Sequence, residues 1–505
     1  MNAPSQADVI AFLSSGEAFG GTPPGHVETS VSHVFIGDDV VYKLKKDILL
    51  DYLDYSTARK RREMCERELK LNHLAAPALY RSVEPVNWDG QSLSVAGEGA
   101  AIDWLVRMRR FDETMTFDRL AHEGKLTLQH VAALTEEVVA FHAIAKERPD
   151  MGGAGEMHRV SQFVAATLKQ HSQGILNPGQ IETWDKAIDR AFARSAALLN
   201  QRQAHGFVRQ CHGDMHLGNI CIYDDMPTLF DCIEFSDEIA CIDVLYDLAF
   251  LCMDLCFHGL EQHANLVMNR YLSATRDFSG LDAFPAFLSL RAAIRAMTSA
   301  IEMQEKSTLD PKECHDGVKH LDFAVAALQR PRPSLLAIGG LSGSGKSSLA
   351  AALATRICAG AGAVIVSSDV IRKRMFGAAP EDELDAEAYE PQVSAKTYVR
   401  LFDDCDTALG AGQTVIADAT FLREEDRAKI AQVAKDWGAS FKGIWLDAPG
   451  DVLKARTGAR TGDPSDAGPE VVDTQLSQKL GTITWSRLDS ERKTLTEDAL
   501  TLLSE

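Results

Sequence analysis

The run "LLAIGGLSGSGKSSLAAALATRI" constrains the fold of this chain more than any other stretch. Apolar residues from Leu335 lead into Gly340, Leu341, Ser342, Gly343, Ser344, Gly345, Lys346, Ser347 and Ser348, and a helical alanine and leucine pattern follows at once. Gly340 to Ser347 fits the spacing G-x-x-x-x-G-K-[ST], and an apolar strand before it with a helix after it is the context that gives the spacing meaning. Glycines let backbone amides turn inward around phosphate groups, and the helix N-terminus adds partial positive charge. Lys346 reaches the outer phosphates of a nucleotide and Ser347 holds Mg2+. Further short apolar runs at Ala363 to Ser368, Thr414 to Ala417 and Phe441 to Leu446 are spaced by helical lengths. Strands of that kind predict a mainly parallel sheet covered on both faces.

At 505 residues the chain is too long for one ordinary core. A helical stretch ends near Leu328, and Pro331 and Pro333 interrupt it before the strand at Leu335, which sets a domain boundary at about 330. Upstream of that boundary the order differs. His33 to Ile36 and Val40 to Leu44 read as strands joined by the turn "GDD". The charged helix "TARKRREMCERELKLNHLA" follows, then a strand "AIDWLVRM", and beyond about residue 115 the pattern is mostly helical. No internal repeat is present.

Within the C-terminal part, "VIVSSDVIRKR" puts Asp369 at a strand end and Arg372 one turn along the next helix. An acid there accepts a proton from a hydroxyl, and the arginine holds a phosphate. "TVIADATF" puts Asp418 at the end of the next strand, where it orders a metal ion or its waters. Arg456 and Arg460, four apart, share a helix face before the Gly/Pro/Asp segment "TGDPSDAGP", which has the composition of a hinged lid. This combination resembles the P-loop kinases grouped with polynucleotide 5′-kinases, chloramphenicol phosphotransferase and zeta-type toxins. The resemblance implies Asp369 as general base, Arg372 as a phosphate or substrate clamp, and Arg456 or Arg460 as lid arginine.

The second constellation is "CHGDMHLGN". His212, Asp214 and His216 alternate, as zinc ligands on one strand face would, but Gly213 and Gly218 break a regular strand. Asp214 and Asn219 also have the spacing of a hydroxyl base and a metal-binding amide, and Asp231 follows across a short apolar hairpin as a second carboxylate. Here the chain resembles aminoglycoside phosphotransferases and choline-kinase-like enzymes, relatives of the protein kinases in fold. The likeness implies Asp214 as catalytic base, Asn219 and Asp231 as Mg2+ ligands and Asp247 as a buried brace. It also implies a strand lysine paired with a helix glutamate, for which Lys43 and Glu68 are chosen over Lys45 and Glu66, and a hinge near Met108 that meets adenine. Glu234 is a further candidate for the metal. No G-x-G-x-x-G covers the phosphates; "HVETSVSHVFIG" stands in that place.

Together the two readings predict an α+β, protein-kinase-like bilobal domain over 1–328, a linker at 329–333, and an α/β three-layer P-loop NTPase domain with a mainly parallel sheet over 334–505. The net charge of −20 is spread over both parts: 32 basic residues stand against 46 acidic ones in 1–330, and 20 against 26 in 331–505. That balance disfavours long nucleic acid as a partner. The N-terminus lacks a basic start and an apolar run, and no window approaches a membrane span, so the chain is expected to be cytoplasmic and away from membranes. Its ten cysteines include no CxxC pair and read as buried thiols. The expected activity is a bifunctional transfer of the ATP γ-phosphoryl group, with Mg2+, to hydroxyls of small molecules. The alternatives are a nucleotide-sensing regulatory role for the second domain, or its action on nucleic-acid 5′-hydroxyl ends. Sequence leaves the acceptors and the oligomeric state open.

Overall fold

Alternation in "SHVFI" and "VVYKLK" sends Phe35, Tyr42 and Leu44 into an apolar layer, with Leu105 and Val86 packed beside them. In the computed structural model, which describes residues 4–50, 53–172, 174–305, 311–330, 332–459 and 465–504, these runs are strands of one antiparallel sheet. Its members are β1 (Gly25–Glu28), β2 (Ser32–Ile36), β3 (Val40–Lys45), β4 (Tyr80–Trp88), β5 (Leu93–Val95) and β6 (Ala100–Arg109), in the order β1-β2-β3-β6-β4-β5. β4 was not legible as a strand because Pro85 interrupts its pattern; the structure accommodates it with a register shift on either side. Helix α1 (Ala58–Ala75) is capped by Thr57, whose hydroxyl accepts from the Lys60 amide. It buries Arg61, Cys65, Glu68, Leu71 and Asn72, one stripe at helical spacing. Arg61 fastens the helix to the sheet through a two-bond pair with Asp103 of β6, at 2.8 and 2.9 Å.

Farther along, β7 (Ile220–Tyr223) and β8 (Met226–Leu229) form the expected hairpin, with Asp224 and Asp225 in left-handed conformation at its turn.

The C-terminal sheet is parallel throughout. Strands β9 (Ser334–Gly340), β10 (Val364–Ser367), β11 (Val415–Asp418), β12 (Ser440–Asp447) and β13 (Ser486–Asp489) run in the order β10-β11-β9-β12-β13. β13 had no sequence signal, since "SRLD" is polar and largely exposed at the sheet edge. Helix α3 (Lys346–Ile357) sends Leu349 and Leu353 into a core with Leu336, Ile338, Ile416 and Ile444. The other edge, β10, is covered by helix α2 (Glu261–Thr275). Asn265 donates to the carbonyls of Ala361 and Ala363 at 2.7 and 2.9 Å, and Asn269 accepts from the amide of Ile365 at 2.7 Å. Two side-chain amides therefore satisfy backbone groups that a sixth strand would otherwise pair.

The chain falls into two compact units that do not coincide with a division at 330. One runs to Gly153 and resumes over Arg202–Asp247; the other comprises Ala154–Gln201 and the chain from Leu248 onward. Helices placed by the sequence reading in the first domain thus share a unit with the parallel sheet. The reason is visible at α2, whose asparagines bond β10 directly. Among the described residues no helix is long and apolar enough to cross a membrane, and the described cysteines are all free thiols.

Candidate functional site

In the first unit the strand β3 presents Lys43 and Lys45 on one face, two residues apart, and both reach Glu68 on α1. Lys43 Nζ lies 3.0 Å from Glu68 Oε1 and 2.5 Å from Asp231 Oδ1; Lys45 Nζ lies 2.6 Å from Glu68 Oε2. Burial pulls the Lys43 amine down, but Asp231 and Glu68 outweigh it and hold its pKa well above the usual lysine value. Burial pushes the Glu68 carboxyl up, and the two lysines outweigh that and hold it at about 2. Glu66 instead pairs with Arg62 on the exposed face of the helix. Lys43 lines a cavity of about 380 Å³ with Met108, Asp214, Phe230 and Asp231. Lys45 does not line it: it is fully buried, and it also pairs with Glu234, which accepts at 2.7 Å from the Tyr55 hydroxyl. Both partners bond Glu234 Oε1, and Glu234 also lines the cavity.

The loop 212–219 is held from beneath by Asp247. Its carboxylate accepts from the amides of His212 and Gly213, each at 3.0 Å, and lies 3.1 Å from His142 Nε2. Burial lowers the His212 pKa, and the ring contacts the Phe230 carbonyl at 2.9 Å. His216 caps the turn, accepting from the Gly218 amide at 3.1 Å. Both histidines thus brace the backbone; His216 Nε2 lies 3.4 Å from Asp214 Oδ2, while His212 Nε2 is turned to the Phe230 carbonyl, so the three do not gather as a zinc set. Asn219 donates to Asp214 Oδ2 at 3.0 Å, bringing the base candidate and the amide together. Asp231 sits at φ +63° with its amide donating to the Tyr80 hydroxyl at 3.1 Å. Left-handed backbone at a non-glycine is costly and marks a position the surroundings enforce; here it aims the carboxylate at Lys43. Asp231 lines the cavity and Asn219 bonds Asp214 of its lining, and oxygen donors of this kind suit a hard ion such as Mg2+.

In the second unit, Gly340 to Ser347 wraps as the sequence implies. Gly340 has φ +143°, and a Cβ there would stand 2.7 Å from the Leu446 carbonyl oxygen; at Gly343, φ +84°, it would stand 2.6 Å from that of Leu453. No other residue type fits either position without displacing backbone. Lys346 Nζ donates to the Leu341 carbonyl at 3.0 Å. Asp418, fully buried, has its carboxyl pKa raised by burial; Lys346, Ser347 and Ser367 counteract, the two serines through hydrogen bonds, and Asp369 adds to the rise. Ser347 and Asp418 thus stand as neighbouring oxygen donors beside the cradle.

The arginines sort differently from the expectation. Helix α4 (Ser368–Met375) carries both Asp369 and Arg372, but Arg372 is buried, donates to the Ala388 carbonyl at 2.5 Å and stacks on Tyr389 at 4.9 Å. Its guanidinium is spent on the fold, and the arginine of α4 that lines the neighbouring cavity is Arg374. Arg456 sits behind the cradle, 3.4 Å from the Gly343 carbonyl and 2.9 Å from Ser490 Oγ, as a support for the loop. Arg460 lies outside the described residues. Sequence reasoning missed Gln475, which accepts from the Ser342 amide at 2.8 Å and donates to its hydroxyl at 3.0 Å. It also missed Tyr55 and the residues of α2; none stands at a spacing that links it to a motif.

Residues 54–284 match the phosphotransferase enzyme family, and residues 335–479 match the AAA domain family. An uncharacterized protein of Mycobacterium tuberculosis is 26% identical over 470 residues, which span 92% of this chain and 91% of the relative, and one of Mycobacterium bovis gives the same figures. A solved choline/ethanolamine kinase family protein from Mesorhizobium loti covers 64% of this chain and 98% of its own, at 14% identity and a TM-score of 0.39. A gluconokinase from Sinorhizobium meliloti covers 34% of this chain and 94% of its own, at 22% identity and a TM-score of 0.24.

Proposed function

The chain joins a phosphotransferase-family domain to a P-loop kinase-like domain, and from that premise we propose an enzyme with two sites, each moving the ATP γ-phosphoryl group to a hydroxyl of a small molecule. The observation that carries the reading is convergence: Lys43, Asp214 and Asp231 line one cavity, while Lys346, Ser347 and Asp418 gather at a second, separate phosphate cradle.

At the first site Lys43, oriented by Glu68, engages the nucleotide phosphates, and the strand end at Met108 meets the adenine. Asp214 takes the proton as the acceptor oxygen bonds to the γ-phosphorus and the bridging P–O bond to ADP breaks. Asn219 and Asp231 would hold Mg2+, which supplies charge neutralisation on the phosphates when bound. At the second site the amides of Gly340–Ser347 and Lys346 hold the phosphates, Ser347 and Asp418 would hold the metal, and Asp369 takes the proton. Gln475 and Arg456 support the loop from behind.

The test incubates wild type, Asp214→Asn and Lys346→Ala with ATP and a metabolite extract, then reads by mass spectrometry for species heavier by one phosphoryl group. Products lost only in one variant assign that site. If neither variant changes any ATP-consuming activity, the two-site reading fails.

A further inference from the structure

Helix α1 is joined at two separate points to the stretch of chain that follows the β7–β8 hairpin. The Asn72 side-chain oxygen accepts from the Cys232 amide at 2.8 Å, and Arg67 pairs with Asp237. Arg67 and Asn72 stand about 7.5 Å apart along the helix axis and about 140° apart around it. One anchor would leave the helix free to pivot; two on different sides hold its tilt and its rotation. Between them sits Glu68, the residue that orients Lys43. Arg59 and Arg62 pair within the helix, with Glu63 and Glu66 one turn on, whereas Arg67 bonds a residue 170 positions away.

Asp237 does more than receive Arg67. Its second oxygen accepts from Arg148 Nη1 at 2.8 Å. Arg148 is fixed by the backbone around it: its amide donates to the Val208 carbonyl at 2.8 Å, and the Lys146 carbonyl accepts from the Gln210 amide at 2.8 Å. Val208–Gln210 is a short strand that runs straight into Cys211 and the loop bearing Asp214. Asp237 also opens a four-residue helix whose last carbonyl, at Ala240, accepts from the Cys211 amide at 2.8 Å. One carboxylate therefore connects the helix that carries Glu68 with the backbone that delivers Asp214. Burial pushes the Asp237 carboxyl up, and hydrogen bonds from Arg148 and Arg67 outweigh it, so the pKa lies below the ordinary aspartate value. Arg148 has another carboxylate partner, Asp150, at 2.8 and 2.9 Å, so Asp237 is not needed to neutralise it. All of these residues belong to the first unit.

We propose that Asp237 is a positioning residue of the first site: by bonding Arg67 and Arg148 together it sets α1, and with it Glu68 and Lys43, against the loops of Asp214 and Asp231. The inference rests on the two-site reading above and adds to it a residue outside the cavity lining. Lys43 on the sheet and Asp231 on the loop act on the same phosphates only while this setting holds. Loss of the Asp237 carboxylate releases one of the two anchors of α1. The fraction of chains with both groups in register then falls, and binding of the metal–nucleotide complex weakens in proportion.

The test uses the full chain carrying Lys346→Ala, which disables the phosphate cradle of the second unit, and measures binding of the non-hydrolysable analogue AMP-PNP with Mg2+ by calorimetry. Asp237→Ala and Arg67→Gln are each expected to weaken it about fivefold, the upper range for a partly exposed ion pair. The double variant is expected to bind no more weakly than either single one, because all three break the same link. Asp150→Ala, which removes the other carboxylate of Arg148, is the control and is expected to bind like the parent. Losses that add in the double variant, or an equal loss in Asp150→Ala, overturn the proposal. So does a lowered melting temperature in Asp237→Ala with unchanged affinity, the mark of a merely structural ion pair. If the parent chain binds no AMP-PNP, the first site of the two-site reading fails; if it binds and Asp237→Ala binds equally, the positioning role alone fails.

Discussion

Two lysines two residues apart on β3 do different work, and burial decides which does what. Lys43 reaches the cavity and Asp231; Lys45 is sealed behind Glu68 with Glu234 and Tyr55. Lys43→Met is expected to cut the turnover of the first site while leaving the second site's product unchanged, read by mass spectrometry of separate products. Lys45→Met leaves two buried carboxylates short of a cation, a loss on the order of 3–5 kcal/mol in stability, measured by urea unfolding. The same cluster gives a pH dependence. Glu68 is held at about 2 in the folded chain against an ordinary value of 4.5, so its ion pairs contribute fully above that ordinary value. Their contribution fades as pH falls toward about 2. Urea midpoints of wild type should drop across that window more steeply than those of Glu68→Gln; parallel profiles would sink the assignment. For Asp214→Asn, removal of the base predicts a fall in the first site's turnover of roughly 10²–10⁴.

Among the elements, α2 is the one whose role could not be read from its own residues. Its asparagines replace a neighbouring strand along the β10 edge. Asn269→Ala leaves the Ile365 amide without its acceptor, and Asn265→Ala leaves the Ala361 carbonyl without its donor and the Ala363 carbonyl with only the longer bond from Asn269. Each is expected to cost about 1–3 kcal/mol and to lower the melting temperature by several degrees. The cradle behaves oppositely: Gly343→Ala meets the Leu453 carbonyl at a left-handed position, so ADP binding should fall sharply while the rest of the chain stays folded. Circular dichroism alongside ADP titration checks both halves of that expectation.

For the whole molecule, the division of the chain into units matters to anyone cutting it. A fragment beginning at Ser334 holds the whole parallel sheet but lacks α2, so the β10 edge is left open. An uncovered edge strand is a template for association. Such a fragment is expected to aggregate, or to melt well below the full chain, in size-exclusion and thermal scans. A fragment as stable and monodisperse as the full chain would show that the asparagine contacts contribute little.

What the sequence determined alone was the local scaffolding of its two motifs. Gly340 to Ser347 specified its own loop because the positive-φ glycines, the strand before them and the helix after them are neighbours in the chain. Asp214, Asn219 and Asp231 were legible for the same reason, being tied by short spacings and one hairpin. Distant pairings had no such signature: Tyr55 with Glu234, Gln475 with Ser342, and Arg270 with Glu381 join residues between 111 and 179 positions apart. Nor did the sequence show that Arg372 would turn into the fold while Arg374 faced a cavity, since both lie on one helix and only its packing selects a face. Tertiary structure decided those matters because burial and long-range hydrogen bonding assign each side chain a partner after the local motif has assigned it a place.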